Sequence, residues 1–341
     1  VLASGAALLP VKRAALFMQN SPLGGTLGSD FYSAPNPPFG ATFTYYLKDA
    51  IKTKKEVRQA ADQAAAKKHD DVFYPPWDSL KAENDERPPE LIFTITDAEG
   101  RVVRRLMDKP QAGVQRVTWD LRYASLTPVS GAGKGGNGGD GPLVAPGTYH
   151  VAMASLVDGV ETALGAPQSF DVYLLDGSAT PRTAAVVAFQ EKTARLQRAV
   201  LGANAAAGEA ATRLRALRQA LLQTPTPTDS LMRRAQALED TLRAIQETLG
   251  GDQTRARYSE PVPPSLLDRL GNVTDGLWFS TLEDATNTQK RQYDIIASQF
   301  GAILSRLRQF IDVDLHGLET AAEAAGAPWT PGRIPAWQGN G

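Results

Sequence analysis

Histidine, the side chain most often recruited to proton transfer and metal binding near neutral pH, occurs only at His69, His150 and His316. No two of them share the i, i+4 spacing that sets paired imidazoles on one helix face, so the pattern points away from a zinc centre. His69-Asp70-Asp71 reads as a solvated helix C-terminus, where a histidine complements the helix dipole. The run Gly135-Gly136-Asn137-Gly138-Gly139-Asp140 matches the core of a calcium-binding nonapeptide repeat, but such turns bind ions only when stacked, and one copy cannot stack. Gly131–Lys134 lacks the spacing and the following Ser or Thr of a phosphate loop. The carboxylate pairs Glu239-Asp240 and Glu283-Asp284 have the chemistry of a glycosidase acid and nucleophile. Adjacent helical residues point to different sides, however, so these read as surface or capping groups. Without a Gly-x-Ser-x-Gly elbow, and without any cysteine to act as nucleophile, thiolate ligand or disulfide, the expectation is no catalytic residue, no cofactor and no metal.

The remaining candidates are aromatic. Phe73, Tyr74 and Trp77 cluster beside Pro75 and Pro76, and Trp329 and Trp337 sit in a Pro-rich tail. Phe17, Phe31 and Tyr32 lie in a segment rich in Gly, Pro, Ser and Asn. Aromatic side chains give large contact area at low entropic cost, so these eight are candidate partner-binding residues. A tail that folds back on its own helices uses tryptophan in the same way.

Those residues must be positioned by a chain of 341 residues that is 42% hydrophobic, enough for more than one core. Lys and Arg number 36 against 37 Asp and Glu, a net charge of -1, which removes the basic footprint of nucleic-acid binding. No apolar run approaches the roughly 18 residues that span a bilayer, and Leu2–Pro10 lacks the basic flank of a signal peptide. The start at Val1 and the aperiodic stretch to Phe39 read as a cut or processed end. Residues 1–39 are expected to be an extended arm that crosses a neighbouring surface or is ordered by a partner.

Thr42–Tyr46 reads as a short strand, and residues 47–68 as an inserted helix with sparse apolar positions. Its lysines, Lys52 to Lys68, are a solvated face, with a phosphate or anionic-lipid patch as the alternative. Leu91, Phe93 and Ile95 alternate with polar neighbours, and Asp97–Gly100 supplies a hairpin turn before Val102, Val103 and Leu106. Further strands fit Val114–Leu121, Gly147–Ser155 and Gln168–Leu174, which favours a β-sandwich over residues 40–178, with Gly131–Gly141 as a loop at its tip.

Beyond Pro181 the period becomes helical. Phe189, Thr193, Leu196, Val200, Ala203, Ala207, Ala210, Leu214, Leu217 and Leu221 recur at steps of four and three, the seam of one long helix. Leu231, Ala235, Leu238, Leu242, Ile245 and Leu249 repeat the pattern after Pro225 and Pro227, with Asp229 as the expected N-cap. Ser265 caps a short helix, and Thr286 with Gln289 forms a capping box for another long one bearing Tyr293, Ile296, Phe300, Ile303, Leu307 and Phe310. The expectation is an α+β chain of two domains: the sandwich, then an antiparallel three- or four-helix bundle over residues 183–325, then a Trp/Pro-rich tail over 326–341.

The segments Phe93–Val103, Gly113–Asp120 and Ala145–Tyr149 resemble the immunoglobulin-like domain of flagellar hook-capping proteins. Asn36–Ala41, Thr44–Leu47, Trp119–Arg122, Gly251-Asp252, Glu260–Pro264 and Gly326–Pro331 look like the C-terminal region of large bacterial sortilin-like β-propeller proteins. That resemblance implies an immunoglobulin-like sandwich, a periplasmic or secreted location, and a non-catalytic scaffolding role beside a propeller or in a large membrane-associated complex. The alternative is an accessory carbohydrate-binding or hydrolase-associated domain of an exported propeller enzyme. It transfers no catalytic residue.

Overall fold

A computed structural model describes residues 5–17, 38–129, 141–175, 184–278 and 284–337. The chain is α+β and divides into two compact units, the first of strands with a helical insertion and the second of helices.

In the first unit, β1 (Ala6–Leu8), β3 (Ala41–Leu47) and β6 (Gly113–Trp119) form a sheet in the order β1-β3-β6. A second sheet runs β2 (Ala14–Leu16), β9 (Gln168–Leu174), β7 (Gly147–Val157), β4 (Glu90–Asp97), β5 (Val102–Asp108), with β8 (Val160–Ala163) paired to β7. Alternation decides which side chains go inward. In β3 it buries Ala41, Phe43, Tyr45 and Leu47 and leaves Thr42, Thr44 and Tyr46 half-buried. Phe43, Tyr45, Val117 and Trp119 of the first sheet share one core with Phe93, Ile95, Tyr149, Val151 and Phe170 of the second. The Tyr45 hydroxyl crosses between the sheets and donates to Asp108 Oδ2 at 2.9 Å.

Residues 6–8 and 14–16 differ from the expected arm. β1 pairs antiparallel with β3, β2 pairs parallel with β9, and Leu8 and Leu16 are buried, so both segments are edge strands of this unit. Strands of three residues show too little alternation to be read from sequence. The expected loop at Gly131–Gly141 lies outside the described residues except Gly141, as do Phe31 and Tyr32.

The first sheet is fixed at one corner by a close approach. Gly40 has φ +125°, and a Cβ there would lie 1.9 Å from the Trp119 carbonyl oxygen. The Trp119 indole is fully buried, its ring 5.4 Å from that of Tyr149, and its Nε1 donates to Arg122 O at 2.9 Å. Leu121, between them, is buried with φ +57°, an unfavourable backbone for a non-glycine residue. Val144 N–H donates to Leu121 O and Tyr123 N–H to Pro142 O, so this turn also clamps residues 141–144.

The inserted helix α1 spans Lys54–Lys67 rather than 47–68, because Leu47 completes β3 and Thr53 with Glu56 forms a capping box. A second helix, α2 (Trp77–Asp85), follows where the prolines suggested only a break: Pro76 occupies the N-cap.

In the second unit, α3 (Ala184–Leu222), α4 (Asp229–Gly250), α5 (Gln253–Arg257), α6 (Leu266–Thr274) and α7 (Asn287–Gln309) lead into a π-helical turn (Phe310–Leu315) and α8 (His316–Ala324). The heptad seam of α3 is buried except for partly buried Leu196, and it shares a core with Leu238, Leu242 and Ile245 of α4, Leu270 of α6 and Phe300 of α7. The Ser265 and Thr286 caps form, whereas Asp229 is the first helical residue and Thr228 holds the N-cap position. The wider π-turn disturbs the carbonyl ladder. Arg234 of α4 reaches across it to Asp314 O (3.3 Å) and Gly317 O (3.5 Å), and a Cβ on Gly317 would lie 2.6 Å from Arg234 Nη2.

Replacing Gly40 by alanine forces a Cβ onto the Trp119 carbonyl and strains the backbone; urea unfolding is expected to show a loss of about 3 kcal/mol or more, and an unchanged midpoint would refute this account of the corner.

Candidate interaction surface

Helices α1 and α2 contain no buried residue. An amphipathic helix usually gains its stability by burying one face, so this pair must be held otherwise. Arg58 Nε and Nη2 donate to Glu83 Oε1 and Oε2 at 2.6 and 2.9 Å, and Arg58 Nη1 donates to Asp62 at 2.9 Å. Lys54 N–H donates to Glu86 at 2.6 Å. The Arg58 guanidinium, through its hydrogen bonds and charge, holds the Glu83 carboxyl below its usual range, and the Thr53 cap does the same for Glu56.

These contacts frame the connection Lys68–Pro76. Its aromatic residues point to solvent: Phe73 is 81% exposed and Tyr74 85%, and Trp77 at the start of α2 is 76% exposed. Val72 is also exposed, an apolar member of the tip that sequence reading passed over because it lies between Asp71 and the aromatic pair. Pro76 adopts φ -57°, ψ 147°, a polyproline II conformation, so the tip is stiffened although its side chains are left exposed among the described residues. Asp70, Asp71 and Asp78 flank it.

The tail of the helical unit carries a second set. Trp329 is 60% exposed and Trp337 87%, joined by Ile334 at 92%, which gave no periodic or compositional signal beyond its neighbouring proline. Trp329 is nonetheless fixed, because its Nε1 donates to Arg333 O at 2.8 Å. Gly332 has φ +92°, and a Cβ there would lie 2.4 Å from Nε of Arg213, whose guanidinium forks onto the buried Glu319 carboxylate at 2.7 and 2.9 Å. Phe17 is partly exposed and meets Phe39 edge to face, with ring centroids 5.1 Å apart. The structure therefore exposes Phe73, Tyr74 and Trp77 on the one connection that leads into α2, puts Trp329 and Trp337 in one tail, and leaves Phe17 apart from the 73–77 group in sequence and paired with Phe39 instead.

The histidines are dispersed: His69 ends α1 with φ +61°, His150 lies half-buried in β7, and His316 starts α8 with Nδ1 4.0 Å from Glu319. Among the described residues no group of three His, Asp or Glu side chains could hold a metal ion, and no helix is long and apolar enough to cross a membrane. A cleft of about 740 Å³ beside α1 is lined by Lys52, Glu56, Gln59, Gln63 and Lys109. Its one carboxylate, Glu56, is committed to the Thr53 cap. The chain matches no protein-family model, and no curated protein matches it.

Glu83 and Glu56 have lowered folded-state pKa values, so their contribution to the α1–α2 pair is present above the usual carboxylate value of about 4.5 and is lost as pH falls through the lower folded values. Acid titration is expected to unravel this pair below pH 4.5 ahead of the strands, read from backbone amide shifts of residues 54–85. The Arg58→Met variant is expected to unravel at higher pH than the parent; identical titrations would show that the Arg58–Glu83 contact does not hold the pair.

Proposed function

We propose that this chain is a non-catalytic protein-interaction module, a scaffold or stabilising subunit of a larger periplasmic or membrane-associated assembly, whose partner grips the aromatic tip at Phe73, Tyr74 and Trp77. The observation that carries the reading is a pair of helices without one buried residue, pinned by a bidentate arginine and presenting three aromatic rings to solvent. Exposed aromatic side chains close in sequence are costly in a free monomer and typical of a binding hot spot. The stiff Pro75-Pro76 segment reduces the entropy lost on docking.

We read the stranded unit as immunoglobulin-like. Its support is the fully buried Trp119 against Tyr149, and the Tyr149 hydroxyl donating at 2.8 Å to Ala145 O, four residues upstream, in the manner of a tyrosine corner. We read α3, α4, α6 and α7 as a helical bundle on the strength of their shared seam residues. The likeness of Asn36–Ala41 and Trp119–Arg122 to sortilin-like proteins makes a β-propeller the favoured neighbour, and Gly40 and Trp119 from those two motifs touch in space.

The test is crosslinking in the native source followed by affinity measurement with the identified partner. Trp77→Ala is expected to weaken binding at least about tenfold, the scale of a hot-spot residue, and the combined Phe73→Ser, Tyr74→Ser, Trp77→Ser variant to abolish it while leaving the circular dichroism unchanged. Undiminished binding by the triple variant would remove the tip from the interface. Hydrolytic turnover by the purified chain, lost on changing an Asp or Glu, would end the non-catalytic reading altogether.

A further inference from the structure

Exposure along the connection between α1 and α2 repeats at every third residue. Val72 is 49% exposed and Pro75 partly buried, whereas Phe73 (81%), Tyr74 (85%), Trp77 (76%) and Pro76 stand out in solvent. A strand would alternate and an α-helix would repeat at about 3.6 residues, but a polyproline II helix has about three residues per turn. The backbone agrees. Pro76 sits at φ -57°, ψ 147°. The ring of Pro75 fixes its φ near the same value, and the proline that follows each of Tyr74 and Pro75 keeps both out of the helical region. One turn of polyproline II from Tyr74 to Pro76 aligns Phe73 with Pro76 on one edge and Tyr74 with Trp77 on the next. The Val72 and Pro75 edge is the one turned toward the protein. Both ends of this turn are held. The N–H groups of His69 and Asp70 donate to Ala66 O and Ala65 O at the end of α1, and Pro76 O accepts from Ser79 and Leu80 N–H at the start of α2. The Arg58 fork onto Glu83 ties the two helices to each other. Between them, Asp71–Pro75 make no backbone hydrogen bond among the described residues, so the carbonyls of Phe73, Tyr74 and Pro75 are open to donors from outside.

We propose that residues 72–77 are a preformed polyproline II ligand, taken by a partner protein in a groove walled by Trp and Tyr side chains whose indole N–H and phenol O–H groups donate to those carbonyls. This rests on the reading of Phe73, Tyr74 and Trp77 as the gripped site and adds the partner's chemistry. The Phe73 and Pro76 edge and the Tyr74 and Trp77 edge offer two ridges for packing of ring on ring and ring on proline. Asp70 and Asp71 before the run and Asp78 after it call for Lys or Arg at both ends of the groove. The same three carboxylates oppose insertion of the run into an anionic bilayer. Because the turn is formed before the partner arrives, docking orders little further backbone.

Photocrosslinking of the intact chain in its native source, with p-benzoylphenylalanine in place of Phe73 or of Tyr74, tests this. Mass spectrometry of the adducts is expected to place the attachment points in one protein, on Trp or Tyr or on residues lining the same groove, with Lys or Arg at its ends. Attachment in an aliphatic pocket without aromatic walls would overturn the groove and leave the tip as the gripped site. Adducts on lipid chains would overturn it in favour of a membrane surface, and no adduct from either position would remove the tip from any interface. The crosslinked partner then serves for affinity measurement. Pro75→Gly leaves all three aromatic side chains in place and loosens only the backbone; it is expected to weaken binding about tenfold, with the amide shifts of residues 54–67 and 79–85 unchanged. Parental affinity of Pro75→Gly, beside lost binding by the triple serine variant, would sink the polyproline II ligand alone. Undiminished binding by the triple variant would sink the tip with it.

Discussion

Trp119 is where the two sheets are obliged to meet. Its indole fills the core between Tyr149 and Phe170, while its own carbonyl occupies the space where residue 40 would carry a side chain. Burying a side chain of this size contributes on the order of 4–6 kcal/mol as an upper bound, and it does so only if the backbone of β6 approaches Gly40. The register of β3 against β6, the left-handed turn at Leu121 and the clamped residues 141–144 all meet at that one close contact. The aromatic insertion is tolerated because this corner, not α1 or α2, holds the strands.

The helical unit answers a different constraint. Its α3 seam groups small residues and then large ones, Ala203, Ala207 and Ala210 followed by Leu214, Leu217 and Leu221. The small end lets a neighbouring backbone come close and the large end fills volume. Polar contacts then correct local irregularities. Arg234 supplies donors where the π-turn departs from the α-helical ladder, and Arg213 neutralises Glu319 beneath the tail. A buried pair of that kind contributes little net stability when intact but is costly to break from one side, so both partners are bound to stay together.

The helices were legible because a seam sustained over ten positions of α3 leaves no competing period, and capping boxes at Ser265 and Thr286 mark starts by their own chemistry. The major strands were legible for the same reason at period two. What was hidden depends on long-range pairing or on geometry that composition does not encode. Ala6–Leu8 and Ala14–Leu16 are strands only because β3 and β9 offer open edges. Helix α2 begins at a Trp after two prolines, a signal that fits a break equally well. The π-turn keeps a helical composition and simply widens. Of the aromatic candidates, the sequence located Phe73, Tyr74, Trp77, Trp329 and Trp337, but their exposure depends on what fails to cover them. Val72 and Ile334 carry no sequence signal of their own and are marked only by their exposure.

The parallel pairing of β2 with β9 carries a consequence for how this unit is made. Ala14 meets Val172 and Leu16 meets Leu174, so a strand near the start of the chain is completed by one near the end of the unit. Closing that loop costs entropy before any contact repays it, and contacts of such sequence separation slow folding. On a ribosome, β2 is made before β9 and waits with its edge open until β9 emerges. During that interval β3 and β6 can assemble around Trp119, while β2 stays available to any other strand that reaches it.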